Sequence, residues 1–462
     1  MTPDEARKLA AYWHDGQVDL VGAPYVRHPV AVAELVAAAG GSEDQQVAAF
    51  LHDVVEDTAC TLADLRRAGA SPAVLAIVDA LTHRDGESRA DYLARVAACP
   101  PAVLVKRCDV AHNMDPARRA RLDPATAERL AARYADSLAS LDLILLPKAH
   151  LHLHLDGAMR PATLAELAAR YGIPAPLPTG YGSFAAFTAT ITAAAACLRS
   201  PQDARRLVTE VVEDAAGAGA VWVEPSVWPG LFGGRLGPDA DALDLVLDAG
   251  HAAAARCGIG FGLVVAANRD RGPAEALATA RLAASRAGDG VVGFGLDGDE
   301  AAAGPVPFAE AFAVARNGGL RAVPHAGELA GPESVRAALD LLGADRIMHG
   351  VRAVEDPALV DRLAAAGTPL DVCPTSNVKL GVVPSLAEHP LPALVAAGVR
   401  CGIHADDPLL FGTDLRTEYD RCRPLLGDAG LAAAATVSVR ASAAPAGLVA
   451  EAVRGIKAWL DT

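Results

Sequence analysis

Apolar residues recur at helical spacing through the first 144 positions. The stretches 28–39 (HPVAVAELVAAA), 43–57 (EDQQVAAFLHDVVED), 101–113 and 124–143 each bring their apolar side chains towards one face, which predicts helices. Short loops such as AGGS and DTACT separate them, and no run reads as a strand. The pattern changes at ILLPKAHLHLHLDGA. From there short β-type runs alternate with helical stretches. The runs are 149–155, 220–227, 260–267, 291–298, 321–328, 346–350, 369–376 and 400–407. Amphipathic helices are expected between them at 201–217, 240–256, 272–286, 331–342 and 355–366. Strand–helix units in this number predict a closed (β/α)8 barrel, with an open doubly wound sheet as the alternative. The expectation is a multidomain chain: an all-α unit over 1–144, then a barrel over 145–462, joined near Leu143–Pro147. The Pro- and Gly-rich stretch 173–183 reads as a loop inside the second unit.

Composition narrows the function classes. A chain of 462 residues has room for two or three domains. The formal charge of -15 repels polyanions, so broad nucleic-acid binding is not expected. Phosphorylated small molecules stay open, because local arginines and a metal can outweigh net charge. No apolar run approaches the roughly 20 residues that span a bilayer, so no membrane is expected. The opening MTPDEARKLAAYWHDG is charged and helical, unlike a signal peptide, which predicts a cytoplasmic protein. The 8 cysteines include no CxxC pair and read as small core residues. The oligomeric state is not readable from the sequence.

The potential metal ligands of the second half stand at strand ends, where barrels place their chemistry. His152 and His154 flank Leu153 and share a strand face. His325 ends the fifth run, His349 the sixth, and Asp406 and Asp407 the eighth. Three imidazoles and a carboxylate with an open position suit catalytic Zn²⁺. Glu328 follows His325 by three residues and is placed to shuttle protons. His150 would share the face of His152 as a core or supporting histidine.

The motifs HLHLDGAMRPATLAELA, VPHAGE, RIMHGV, CPTSNVKLGVV and HADDPLLFGTDLRTEY occur in this order over residues 146–460. Together they resemble the adenosine deaminase family, whose barrel is of the metal-dependent amidohydrolase type. The resemblance implies zinc on His152, His154, His325 and Asp406. It implies Glu328 as the acid that protonates purine N1, and His349 as the residue orienting the attacking hydroxide. It implies Asp407 at the water and purine N7, Gly298 at the base and Asp156 at the ribose end. Three segments depart from the family: Glu224-Pro225-Ser226 with Trp228 nearby, GLDGDE, and His404-Ala405 before the paired aspartates. All three are expected to reshape the pocket. The substrate is accordingly adenosine or a related adenine nucleoside, with adenine or aminofutalosine as alternatives.

The first half carries a second constellation. On a helix, His52 and Glu56 are one turn apart, as are Asp53 and Asp57. His28 and Asp109 can close a metal shell from neighbouring helices. A mixed His/carboxylate set suits Mn²⁺ or Fe²⁺ better than Zn²⁺. The string GAPYVRHPVAVAELV…AAFLHDVVEDT…VKRCDVAHNM, within residues 4–140, resembles the HD-superfamily hydrolases of the RelA/SpoT type, including small alarmone hydrolases. This implies His28, His52, Asp53 and Asp109 as ligands of a second metal such as Mn²⁺. It implies Glu56 and Asp57 as the water-activating pair, and Asn113 as a nucleotide contact. The family removes a 3′-pyrophosphate from guanosine alarmones. Here Val18-Asp19-Leu20-Val21 replaces the family's Arg-Lys pair, so (p)ppGpp, (p)ppApp, another nucleotide or a nicotinamide dinucleotide phosphate are all open. A bifunctional enzyme acting on small-molecule nucleosides and nucleotides is expected. The alternative is a working deaminase with a regulatory nucleotide-binding module.

Overall fold

Side-chain caps start several helices of the first unit. Thr2, Ser42 and Thr61 each accept from the backbone three residues on, and Glu5, Gln45 and Asp64 return the bond. In a computed structural model of the chain, residues 1–176, 181, 184–232 and 234–461 are described. The chain divides into two compact units, Met1–Leu145 and a second from Leu146 onwards. No helix among the described residues is long and apolar enough to cross a membrane.

The first unit is helical, as its apolar pattern predicts. Its core gathers Val32, Val36, Leu51, Leu65, Val78, Leu93 and Leu141. Helices Pro3–Trp13, Pro72–Leu81 and Arg89–Ala97 add to those read from the sequence. One expectation changes. The stretch 43–57 is two helices, Glu43–Leu51 and Val54–Asp57, with His52 and Asp53 between them. The imidazole of His52 turns back onto the Ala49 carbonyl (2.7 Å). Asp57 N–H still donates to Asp53 O (2.8 Å), so the turn that carries the carboxylates is kept.

The second unit is a ring of parallel strands. The ladder runs through Ala220–Val223 and Ser226–Val227, Gly260–Phe261 and Leu263–Asn268, Val291–Asp297, Arg321–Ala326, Ile347–His349, Leu370–Val372 and Cys401–Ile403. The first strand, Lys148–His150, pairs with Ala220–Val223. The ring closes where Leu153 bridges Asp406 and His154 bridges Ser226. The strands are shorter than their sequence runs. The run 369–376 stops at Val372, and Pro374 opens a helix, Pro374–Lys379, because its fixed φ suits a first helical turn. The run 321–328 stops at Ala326, leaving Glu328 on the loop beyond. The helix expected at 331–342 is α-helical over Pro332–Ala337 and continues as a π-turn to Leu342. The loop read at 173–183 lies partly outside the described residues.

Candidate metal centres and active site

Closure of the ring brings the rim residues together. Asp406 N–H donates to His152 O (3.1 Å), and His154 N–H to Asp406 O (3.0 Å). His349 and Asp406 have φ of 64° and 60°, the only non-glycine positive values among the described residues. Such conformations cost about 1–3 kcal/mol and persist where the surroundings enforce them.

The Nε2 of His325 lies 3.2 Å from the Nε2 of both His152 and His154. Asp406 Oδ1 lies 3.3 Å from the same two nitrogens of His152 and His154. The far sides of the rings have partners of their own. His152 Nδ1 donates to Asp371 O (2.9 Å). Asp297 faces His325 Nδ1 at 3.2 Å and His154 Nδ1 at 3.6 Å. With protons on Nδ1, three Nε2 lone pairs face one another around a carboxylate. A cation resolves that repulsion, so the residues fit a bound metal, and zinc accepts such a set. The ligand atoms of His349 also fall in this cluster, with His152, His325 and Asp406.

Glu328 Oε1 stands 3.2 Å from His349 Nε2. Burial, with Asp406 and Glu300 nearby, raises its pKa well above the usual carboxylate range. Burial and Asp406 do the same for Asp407. Glu300 anchors the Glu328 loop by accepting from the backbone of Gly327, Glu328, Leu329 and Ala330 at 2.6–3.0 Å. At Gly157 any Cβ would sit 1.7 Å from Asp407 Oδ1, so only glycine admits that carboxylate. Gly298 has φ of 96° and borders the cavity.

The cavity measures about 100 Å³. Asp156, Asp297, Gly298, Glu328, His349 and Asp407 face it, with Phe184, Phe187, Ile191, Trp228 and Leu380 as apolar walls. The expectation that Glu224 and His404 reshape the pocket is corrected: neither lines it. Glu224 binds buried Arg346 (2.7 Å) and Trp222 Nε1 (2.8 Å) inside the barrel. His404 Nε2 faces Asp371 (3.4 Å), and its ring lies parallel to that of His150 at 6.0 Å. Trp228 does reach the cavity. Its indole N–H is tied to Glu275 (2.7 Å) and its ring is backed by Arg271.

In the first unit, His28 Nε2 lies 3.2 Å from Asp109 Oδ1 and 3.5 Å from Asp53 Oδ2. His52 Nε2 lies 3.2 Å from Asp53 Oδ2. Because His52 Nδ1 donates to Ala49 O, its Nε2 presents a lone pair to this cluster. The four residues therefore fit a divalent ion. Tyr25 hydroxyl is 2.8 Å from Asp53 Oδ2 and 2.9 Å from Asp57 Oδ2. Glu56 accepts from His83 N–H (2.7 Å), and burial beside Asp53 and Asp57 raises its pKa. Asn113 donates to Asp109 Oδ1 (2.7 Å). All of these face a cavity of about 500 Å³, with Arg89, Lys106, Arg118 and Arg133 also on its walls. Asp19 is spent on the backbone N–H of Val21 and Ala23 and faces Arg118 at 3.7 Å.

Comparison with known proteins fits this division. A family model described as adenosine deaminase matches residues 147–459. The chain belongs to the adenosine deaminase family. An HD domain model matches residues 6–133, so the helical unit is an HD domain. A putative adenosine/adenine deaminase of Streptomyces virginiae is 46% identical over 332 residues, covering 69% of this chain and 98% of the relative. The crystal structure of an adenine deaminase from Arthrobacter aurescens is 30% identical with a TM-score of 0.65, covering 68% of this chain and 99% of that one. A Burkholderia ambifaria amidohydrolase with bound Zn is 28% identical with a TM-score of 0.62, covering 70% and 92%. The chain is thus a deaminase-family hydrolase whose barrel fits a metal.

Several residues around the deaminase and HD sites escaped the sequence reading. Asp297 was visible only as a changed letter in GLDGDE, although it ends a strand as the other rim residues do. Glu300 closes the same motif. Tyr25 stands inside the HD motif string, and His112, 2.7 Å from His28 Nδ1, is the penultimate residue of its helix.

Proposed function

We propose that the barrel hydrolytically deaminates a 6-aminopurine, with free adenine as substrate. The carrying observation is Glu328, whose pKa burial raises well above the usual carboxylate range, 3.2 Å from His349 on the wall of the cavity. His152, His154, His325 and Asp406 would hold Zn²⁺, which lowers the pKa of water at the site. Glu328 gives its proton to purine N1, which draws electrons from C6 and opens it to water. His349 holds the incoming oxygen. Asp407, its pKa raised by burial and Asp406, would donate to N7, and the Gly298 backbone borders the ring. Water adds at C6 and gives one proton to the Glu328 carboxylate, which passes it to the amino group; ammonia leaves, and the remaining C6 hydroxyl proton restores Glu328. A cavity of about 100 Å³ suits a lone heterocycle and is small beside sites of roughly 300–1,000 Å³ for larger ligands. The name of the Arthrobacter aurescens relative, an adenine deaminase, supports the same choice. Asp156 on the cavity wall favours adenosine as the second reading. Ammonia release from adenine, adenosine, deoxyadenosine and aminofutalosine decides between them. Adenine should give the highest kcat/KM, and a preference for adenosine defeats the free-base reading.

The HD domain, in the same proposal, hydrolyses a phosphate ester or pyrophosphate of a nucleotide. His28, His52, Asp53 and Asp109 would hold Mn²⁺ or another divalent ion, and Glu56 and Asp57 accept the proton of the attacking water. Arg89, Arg118 and Arg133 give the cavity its affinity for phosphate, with Asn113 at its metal end. The test is turnover of 3′-pyrophosphorylated guanosine and adenosine nucleotides and of a nicotinamide dinucleotide phosphate. Binding without turnover would make the domain a regulatory module.

A further inference from the structure

We propose that a buried chain from the Leu391 backbone through His389 and Asn377 sets the tautomer of His349, making its Nε2 a hydrogen-bond donor. The inference rests on the deaminase reading of the barrel. Leu391 opens the helix Leu391–Ala396, and a first-turn N–H has no partner within its own helix. It donates to His389 Nδ1 at 3.0 Å. His389 is buried, and burial lowers its pKa to about 4, so the ring is neutral. A neutral imidazole that accepts at Nδ1 carries its proton on Nε2. That proton goes to Asn377 Oδ1 at 3.1 Å.

The link orients the amide. With its oxygen towards His389, Asn377 turns its NH₂ to His349 Nδ1 at 3.2 Å. The reversed amide would set N–H against N–H at His389. Asn377 is fully buried, so no bulk water competes for either end. His349 therefore accepts at Nδ1 and carries its proton on Nε2, which faces Glu328 Oε1 at 3.2 Å and Asp406 Oδ2 at 3.7 Å.

Two consequences separate this device from simple packing. A protonated Nε2 has no lone pair for a metal, so His349 drops out of the ligand shell although it stands in the cluster. His154, with its Nδ1 turned to Asp297, takes that place. The same nitrogen is a donor to the attacking oxygen and cannot serve as its base. Asn377 and His389 are thus positioning residues for His349.

The test uses full-length, metal-loaded protein labelled with ¹⁵N-histidine. A long-range ¹H–¹⁵N spectrum, with His349 assigned by its loss in His349→Gln, should show the proton on Nε2. A proton on Nδ1 overturns the proposal. In kinetics, Asn377→Asp presents an oxygen to Nδ1 and inverts the tautomer. It should lower kcat for adenine by about 100-fold or more, with KM and metal content unchanged. His389→Glu should act in the same direction through Asn377, while His389→Gln keeps a donor and restores most of kcat. Equal kcat for the Glu and Gln variants overturns the chain. A wild type that releases no ammonia from any 6-aminopurine defeats the deaminase reading instead, and the spectrum still decides the tautomer.

Discussion

In the barrel, each histidine of the cluster has a partner behind it: Asp371 O for His152, Asp297 for His154 and His325, Asn377 for His349. Below them Arg346 joins Glu224 and Asp371 at 2.7 Å each, almost without solvent contact. In the HD domain the histidines are backed too, His28 by His112 and His52 by Ala49 O, but the cluster opens on a cavity of about 500 Å³ against about 100 Å³ in the barrel. The difference follows from the ligands proposed. A flat, uncharged base offers few handles, so the barrel must hold its reacting groups in register before the base arrives. A polyphosphate brings charge and reach, and arginines on a roomier wall can align it.

The largest effect should come from the barrel's proton carrier. Glu328→Gln keeps the shape of the site and removes the transferable proton. Deamination should fall by roughly 10²–10⁴-fold with metal content intact, as measured by ammonia release and metal analysis. Nucleotide hydrolysis by the same sample should not change. If it falls too, the two sites are not the independent pair described above. Arg346→Met comes next. It leaves Glu224 and Asp371 buried without their cation, a change that costs about 3–5 kcal/mol. The midpoint for thermal loss of deamination should drop, while that for nucleotide hydrolysis holds. A smaller change should follow Trp228→Ala, which removes one cavity wall. The kcat/KM ratio of adenosine to adenine should rise, and an unchanged ratio would show that the wall does not exclude the sugar.

Much of the barrel site is legible in the sequence because its residues sit at strand ends, where one rule covers them all. His152, His154, His325, His349, Asp406 and Asp407 converge in space as their positions along the chain suggest. The legible part ends where a residue's meaning depends on depth or on a partner far along the chain. Glu224 and His404 each follow the last residue of a strand, as the cavity residues do, and no sequence pattern says which of these side chains reach the cavity and which are buried away from it. Asn377 was hidden because it follows the run 369–376, which reads as a strand, while Pro374 turns that end into a helix that carries Asn377 to His349. His389 gains its role from one backbone N–H at Leu391, which no side-chain pattern records. In the HD domain the helical period is plain, but the break at His52–Asp53 is not, because it is made by a side chain folding back on Ala49.

The smallest predicted effect bears most directly on the contrast between the sites. Tyr25 has one hydroxyl hydrogen and two carboxylate neighbours, Asp53 at 2.8 Å and Asp57 at 2.9 Å. It can satisfy only one of them at a time, and a divalent ion would engage Asp53 in any case. Removing the hydroxyl in Tyr25→Phe therefore forfeits one hydrogen bond, about 0.5–1.5 kcal/mol, or up to roughly tenfold in rate. Hydrolysis should fall by that factor at saturating Mn²⁺, with deamination untouched. If Tyr25→Phe instead abolishes hydrolysis as completely as Asp53→Ala should, the hydroxyl is a fixed support of the barrel's kind. The helical site would then be as firmly held as the barrel's, and its larger cavity would have to be explained by substrate size alone.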